Sequence, residues 1–157
     1  MSMENITKTK GTLMKRFSFF IFFLLSSCQA FGAVTQWADF TLDNGHVFLP
    51  VKIDGIESRV MLDSGAQINS INRAFIRKHD LEFSKGRPVN VKGVYGVEKR
   101  TAYNNVDVEI FGTTFELDSL VEINLGHHSN GMLLGAGFFN SFVVQLHYPK
   151  RKIRLVT

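Results

Sequence analysis

Val60-Met61-Leu62-Asp63-Ser64-Gly65-Ala66 is the stretch on which the reading of this 157-residue chain turns. An apolar run delivers one carboxylate to a turn, where Ser64 offers a hydroxyl for local hydrogen bonding and Gly65 permits close backbone approach or a positive φ. Alone, Asp-Ser-Gly is ordinary turn chemistry, and most such turns are surface features with no catalytic role. The apolar strand before it separates this one from those. His46 to Ile53 is apolar-rich, Asp54-Gly55 is a hairpin dipeptide, and Ile56 to Leu62 returns to Asp63.

Outward from that hairpin the pattern remains short β-type runs punctuated by turns. Ser70 is placed to cap a short helix over Ile71 to Leu81, whose Ile71, Ala74, Phe75 and Lys78 fall at helical spacing. Strands are predicted at Pro88 to Val94, Val97 to Tyr103, Val106 to Ile110 and Thr113 to Glu122, with a turn at Phe111-Gly112. Asn124 to Gly131 reads as a loop, Met132-Leu133-Leu134 as a buried strand and Phe138 to Ser141 as one helical turn. Phe142 to His147 and Ile153 to Val156 then form a hairpin around Tyr148-Pro149. A weak repeat relates the two halves: Val51 to Asp63 and Val108 to Leu117 share a strand, glycine turn, strand layout, and Asp63-Ser64-Gly65-Ala66 is matched by Leu133-Leu134-Gly135-Ala136. Two such halves predict an all-β fold, a small closed barrel of six strands with one or two short helices. Only the first half carries an acid at its turn.

Residues 1–32 read as a leader, and 33–157 as a single domain with enough apolar content for a core. Lys8, Lys10, Lys15 and Arg16 precede the apolar run from Phe17 to Leu25, and small residues follow. That run is shorter than the roughly 20 residues a membrane-spanning helix needs, so the layout points to export, to the periplasm or to its membrane face. Two processing readings stay open. Leu25-Ser26-Ser27-Cys28 resembles a lipoprotein box that would leave a lipid on Cys28 and tie the domain to a membrane, whereas Ala30-Phe31-Gly32 fits ordinary signal cleavage. Cys28 is the one cysteine, so the domain after it has no disulfide.

The formal charge of +4 is mostly a property of the leader. Beyond residue 32 the chain holds 14 Lys and Arg against 13 acids, a balance of about +1 that leaves no electrostatic footprint for nucleic acid. The cluster Lys150-Arg151-Lys152 with Arg154 reads as a solvated basic turn. His127-His128 is a poor metal pair, since neighbours in a strand point to opposite faces and no cysteine partner exists. Ser64 lacks the Gly-x-Ser-x-Gly frame of a hydrolase nucleophile.

From His46 to Val156 the chain resembles the retropepsin-like aspartic peptidases, and the single-domain bacterial members in particular. The resemblance rests on Leu62-Asp63-Ser64-Gly65-Ala66 after its hairpin, on the helix ending at Leu81, on Val91-Lys92-Gly93-Val94-Tyr95-Gly96 where the family has its flap, and on Leu133-Leu134-Gly135 before the final hairpin. Ser64 stands where Thr is commoner, and Gly137 where bacterial relatives often have Asp.

This resemblance implies an aspartic endopeptidase in which Asp63 is one of two carboxylates sharing a proton, one activating water and the other polarising the peptide carbonyl. Ser64 would brace two catalytic turns against each other, Gly65 would admit a peptide or protein substrate beside Asp63, Ala66 would complete the active-site turn, and Gly93, Val94, Tyr95 and Gly96 would close over the substrate. Leu134 and Gly135 form the acid-free turn of the second half. With one such acid per chain, the implied enzyme is a homodimer, and the chemistry needs no metal or other cofactor. A retropepsin-like fold kept as a non-catalytic peptide-binding or structural envelope module is the alternative.

Overall fold

The computed structural model describes residues 34–93 and 96–156, so the expected leader, Cys28 and the expected flap residues Val94 and Tyr95 lie outside the described residues. The first half contains β1 (Ala38–Asp39), β2 (Thr41–Asp43), β3 (His46–Ile53), β4 (Ile56–Leu62), β5 (Ser70–Asn72), helix α1 (Arg73–His79) and β6 (Ser84–Lys85). Next come β7 (Val89–Gly93), β8 (Gly96–Arg100), β9 (Ala102–Asn104), β10 (Val106–Ile110), β11 (Thr113–Leu117) and β12 (Leu120–Ile123). The chain closes with β13 (Asn130–Leu134), helix α2 (Ala136–Ser141), β14 (Val143–His147), a 3-10 turn (Tyr148–Lys150) and β15 (Lys152–Val156).

Local chemistry explains the hairpins. Asp54 and Gly55 take φ of 51° and 75°, and Phe111 and Gly112 take 55° and 75°. Positive φ at both central residues gives the primed turn whose twist matches the flanking strands, which is why glycine sits second in each. The β3–β4 and β10–β11 hairpins therefore share a turn as well as a layout. They lie side by side, with Val108 opposite Ile53.

The fold is all-β, but its sheets do not close into a barrel. One ten-stranded sheet runs in the order β11-β10-β3-β4-β13-β5-β12-β9-β6, with β2 added at β3. Separate sheets are formed by β1-β15-β14 and by the β7–β8 hairpin. The segments that would complete a six-stranded wall pair among themselves instead. Inside, Ile53, Val60, Ile71, Val106, Leu120, Met132 and Ile153 are completely buried. Each contributes about 1.5–3 kcal/mol of hydrophobic stabilisation, before the entropy of ordering the chain is set against it.

Three sequence expectations need correction. Ser70 does not cap the helix: Ser70-Ile71-Asn72 is a buried strand, parallel to β12 and antiparallel to β13, and α1 starts only at Arg73. Asn72 is the cap, accepting from the Ala74 N–H (3.0 Å) at Oδ1. Its Oδ1 also accepts from the Leu125 N–H (3.2 Å), while its Nδ2 donates to the carbonyls of His127 (3.1 Å) and Asn130 (2.8 Å). A completely buried amide thus makes all four of its hydrogen bonds and ties the 124–130 loop to the helix start. The run from Val97 to Tyr103 is also two strands, because Tyr103 and Ala102 pair with Leu120 and Val121 of the large sheet. The run from Thr113 to Glu122 breaks similarly, at Ser119 with its φ of 56°.

Arg73, at the first turn of α1, pairs with Glu122 of β12, which also accepts from the Tyr103 hydroxyl (2.7 Å). Burial pushes the Glu122 carboxyl up, but the hydrogen bonds from Tyr103 and Arg73 and the charges of Arg73 and Arg77 outweigh it, leaving the group below its usual 4.5. Burial, with Glu122 beside it, pushes Tyr103 up to about 12. A lowered carboxyl contributes stability that is present above its unfolded value and is lost as pH falls through the folded value. Wild type is therefore expected to unfold at higher urea concentration than Glu122→Gln at neutral pH, with the gap narrowing below about pH 4.5. A gap that stays constant on acidification would contradict this.

Candidate active site

Asp63 is the first residue beyond β4, and three backbone contacts hold it. Its N–H donates to the Leu134 carbonyl (3.0 Å), its carbonyl accepts from the Ala66 N–H (3.1 Å), and its Oδ1 accepts from the Gly65 N–H (2.9 Å). The half-buried carboxylate is thus oriented by its own turn, with lone pairs left for a further partner. Gly65 does not take a positive φ. Its requirement is close approach, since a Cβ there would lie 3.2 Å from Asp63 Oδ1. Ser64 beside it is exposed.

The topology explains why this turn is rigid. Strand β13 lies between β4 and β5, so the chain from Asp63 to Asn69 must pass across the end of β13. There the second-half turn meets it directly. The Ala136 N–H donates to the Ala66 carbonyl (2.7 Å), and the Gly135 N–H donates to Asn69 Oδ1 (2.9 Å). A Cβ on Gly135 would fall 2.5 Å from the carbonyl oxygens of both Ala66 and Ile68. Leu134, Gly135 and Ala136 therefore support the Asp63 turn through backbone alone. Asn69 also passes a strut to β12, its carbonyl accepting from the Val121 N–H (3.1 Å).

A cavity of about 450 Å³ opens beside the turn. Gly65, Ala66 and Ile68 line one side, Asn90 to Lys92 of β7 line the other, and Ile123 and Leu133 contribute apolar surface. The hairpin carrying Gly93 and Gly96 therefore borders the same space as the Asp63 turn. Gly93 and Gly96 pair at its closing end, and the exposed Gly96 has φ 125°, a conformation strained for any other residue. A slightly larger hollow of about 520 Å³ lies by Trp37, Pro50 and Phe111, away from the Asp63 turn. Its Lys52 and Glu109 already pair with each other (3.3 Å), so the smaller cavity is the better candidate for chemistry. His127 serves its own loop: its Nδ1 lies 3.0 Å from Ser129 Oγ and accepts from the Ser129 N–H at 3.2 Å.

Sequence reasoning did not single out Asn69 and Asn72. The available signal was two amides flanking Ser70-Ile71 in an otherwise apolar stretch, since a buried amide must find partners.

A family model described as gag-polyprotein putative aspartyl protease matches residues 49–141. Among solved structures, the chain is similar to a retropepsin-like aspartic protease from Rickettsia conorii, with a TM-score of 0.51 and 14% identity over 80% of this chain and 95% of that one. It is also similar to the protease of EIAV in complex with the inhibitor HBY-793, with a TM-score of 0.51 and 16% identity over 64% of this chain and 93% of that one. A search of curated proteins finds no match.

Proposed function

This chain belongs to the family of gag-polyprotein aspartyl proteases, the retropepsin-like aspartic peptidases, and on that premise we propose that it is an aspartic endopeptidase whose acid is Asp63. The observation that carries the proposal is the interlocked turn: Asp63 is oriented by the Gly65 N–H, and the whole loop is clamped by Leu134, Gly135 and Ala136. A carboxylate fixed in this way can hold a water and exchange its proton without reorganising during the reaction. Hydrolysis by a pair of carboxylates that share a proton needs a second acid, and the matching turn of this chain has none.

The second acid comes from a second copy in this reading. An isologous contact would place Asp63 of each chain on either side of a twofold axis, with the exposed Ser64 of each turn free to brace the other. Strand β14 is an edge of its sheet, and its Val143 is 62% exposed, so the edge is available for pairing with another chain. The substrate would lie in the cavity between Gly65–Ile68 and β7, with the hairpin from Gly93 to Gly96 closing as a flap and excluding water.

The purified protein is expected to cut unstructured peptides at internal amide bonds, read by mass spectrometry from acid to neutral pH. Peptide binding without cleavage at any pH would contradict the proposal and leave a non-catalytic peptide-binding module.

The proposal includes export, on the strength of the basic and apolar leader at residues 1–32. A reporter fused after residue 40 is expected in the periplasm of a bacterial host, and retention in the cytoplasm would exclude that location. Labelled palmitate retained by wild type and lost in Cys28→Ala would establish lipidation.

A further inference from the structure

The small β1-β15-β14 sheet turns Ile153 and Leu155 into the core, at 0% and 2% exposure, and its other face outward. That outer face carries an apolar row. Val156 pairs with Val143 on one side and bridges to Val34 on the other, and Val34 is 50% exposed and Val143 62%. Trp37, 42% exposed, stacks on the Arg154 guanidinium with 4.5 Å between the group and the ring centre. At one end of the sheet the 3-10 turn presents Tyr148, 52% exposed, followed by the exposed Lys150 and Arg151. The acid of this sheet, Asp39, is already paired with Lys152 (2.8 Å).

We propose that this face docks on an anionic phospholipid surface. An apolar row at one end of the face, two exposed amphipathic aromatic rings and, at the other end, cations that make no ion pair among the described residues suit a lipid headgroup region, where tryptophan and tyrosine rings settle at the interface and each cation is attracted to anionic lipid. The place where residues 1–33 join the fold supports the same assignment. Val34 bridges to Val156 and the Thr35 N–H donates to the Leu155 carbonyl (3.0 Å), so Cys28, where a lipid would be attached, precedes this sheet by only six residues of chain. Pairing of two copies through the β14 edge would lie in the plane of the sheet and leave the face open. The proposal stands independently of peptidase activity.

Trp37 is the one tryptophan of the chain and lies on the face, so its fluorescence reports docking directly. The full-length protein is mixed with vesicles of phosphatidylglycerol and phosphatidylcholine containing brominated lipid. The expected result is a blue shift and quenching of Trp37, and in Lys150→Glu/Arg151→Glu a partition more than about tenfold weaker. A tryptophan introduced by Val97→Trp in a Trp37→Phe background, on the β8 strand, should remain unquenched. Protein that sediments with the vesicles while Trp37 stays unquenched would show attachment through residues 1–33 alone and overturn the proposal. So would equal quenching on pure phosphatidylcholine with no loss in the double variant, or a concentration-dependent blue shift without vesicles, which would assign the face to a second copy.

Discussion

Replacing Asp63 with Asn is expected to lower peptide hydrolysis by more than about a thousandfold, the scale of a lost general acid–base group. Unfolding free energy should change by less than about 1 kcal/mol. The two effects separate because the carboxylate has one local structural partner. The Gly65 N–H donates to Asp63 Oδ1, and an Asn amide oxygen can accept the same bond. The bonds from Asp63 N–H to Leu134 and from Ala66 N–H to the Asp63 carbonyl are backbone and unaffected. What Asn cannot do is gain and lose a proton. Steady-state kinetics and urea unfolding on the same preparations test the pair of expectations. Cleavage retained within tenfold of wild type would remove Asp63 from the chemistry.

The second large effect is structural and falls on a residue with no functional group. Gly135→Ala is expected to cost more than about 3 kcal/mol in urea unfolding and to abolish activity, at the upper end of what overpacking does. The added Cβ would meet two backbone carbonyl oxygens, those of Ala66 and Ile68, each at 2.5 Å. Neither can swing aside as a flexible side chain would, because Ala66 is held by Ala136 and the next residues run into the buried strand β5. The only relief is to push the Asp63 loop off the end of β13. Gly137→Ala, where the nearest atom would be Asn69 Nδ2 at 3.7 Å, is the control and should be nearly neutral. Similar losses in both variants would show that general crowding, rather than the loop contact, sets the effect.

Features resting on local signals were legible in the sequence. Asp54-Gly55 and Gly112 announce their turns because glycine, and less readily aspartate, reach positive φ cheaply, and the apolar run into Asp63 follows from the burial of β4. Leu134-Gly135 was legible as a partner turn through the repeat, and the hairpin that pairs Gly93 with Gly96 lies where the family resemblance pointed. Features resting on long-range pairing were not. Ser70 has good capping chemistry, yet pairing of β5 with β12 and β13 on either side draws it into the sheet and moves the cap to Asn72. Three of the four partners of Asn72 lie more than 50 residues away, and no local pattern encodes them. Barrel closure failed as an expectation for the same reason. Alternation and turns specify strands, whereas which edges meet depends on the whole chain, and here β7–β8 and β14–β15 form sheets of their own.

The sharing of one active site between two chains is tested most directly by mixing subunits. Wild-type protein is titrated with Asp63→Asn protein at constant total concentration, after exchange between labelled subunits has been verified. If each site needs Asp63 from both chains, activity falls as the square of the wild-type fraction, because only wild-type homodimers hold two acids. Activity that falls in simple proportion to that fraction, or that persists in protein shown to be monomeric, would contradict the shared pair of carboxylates.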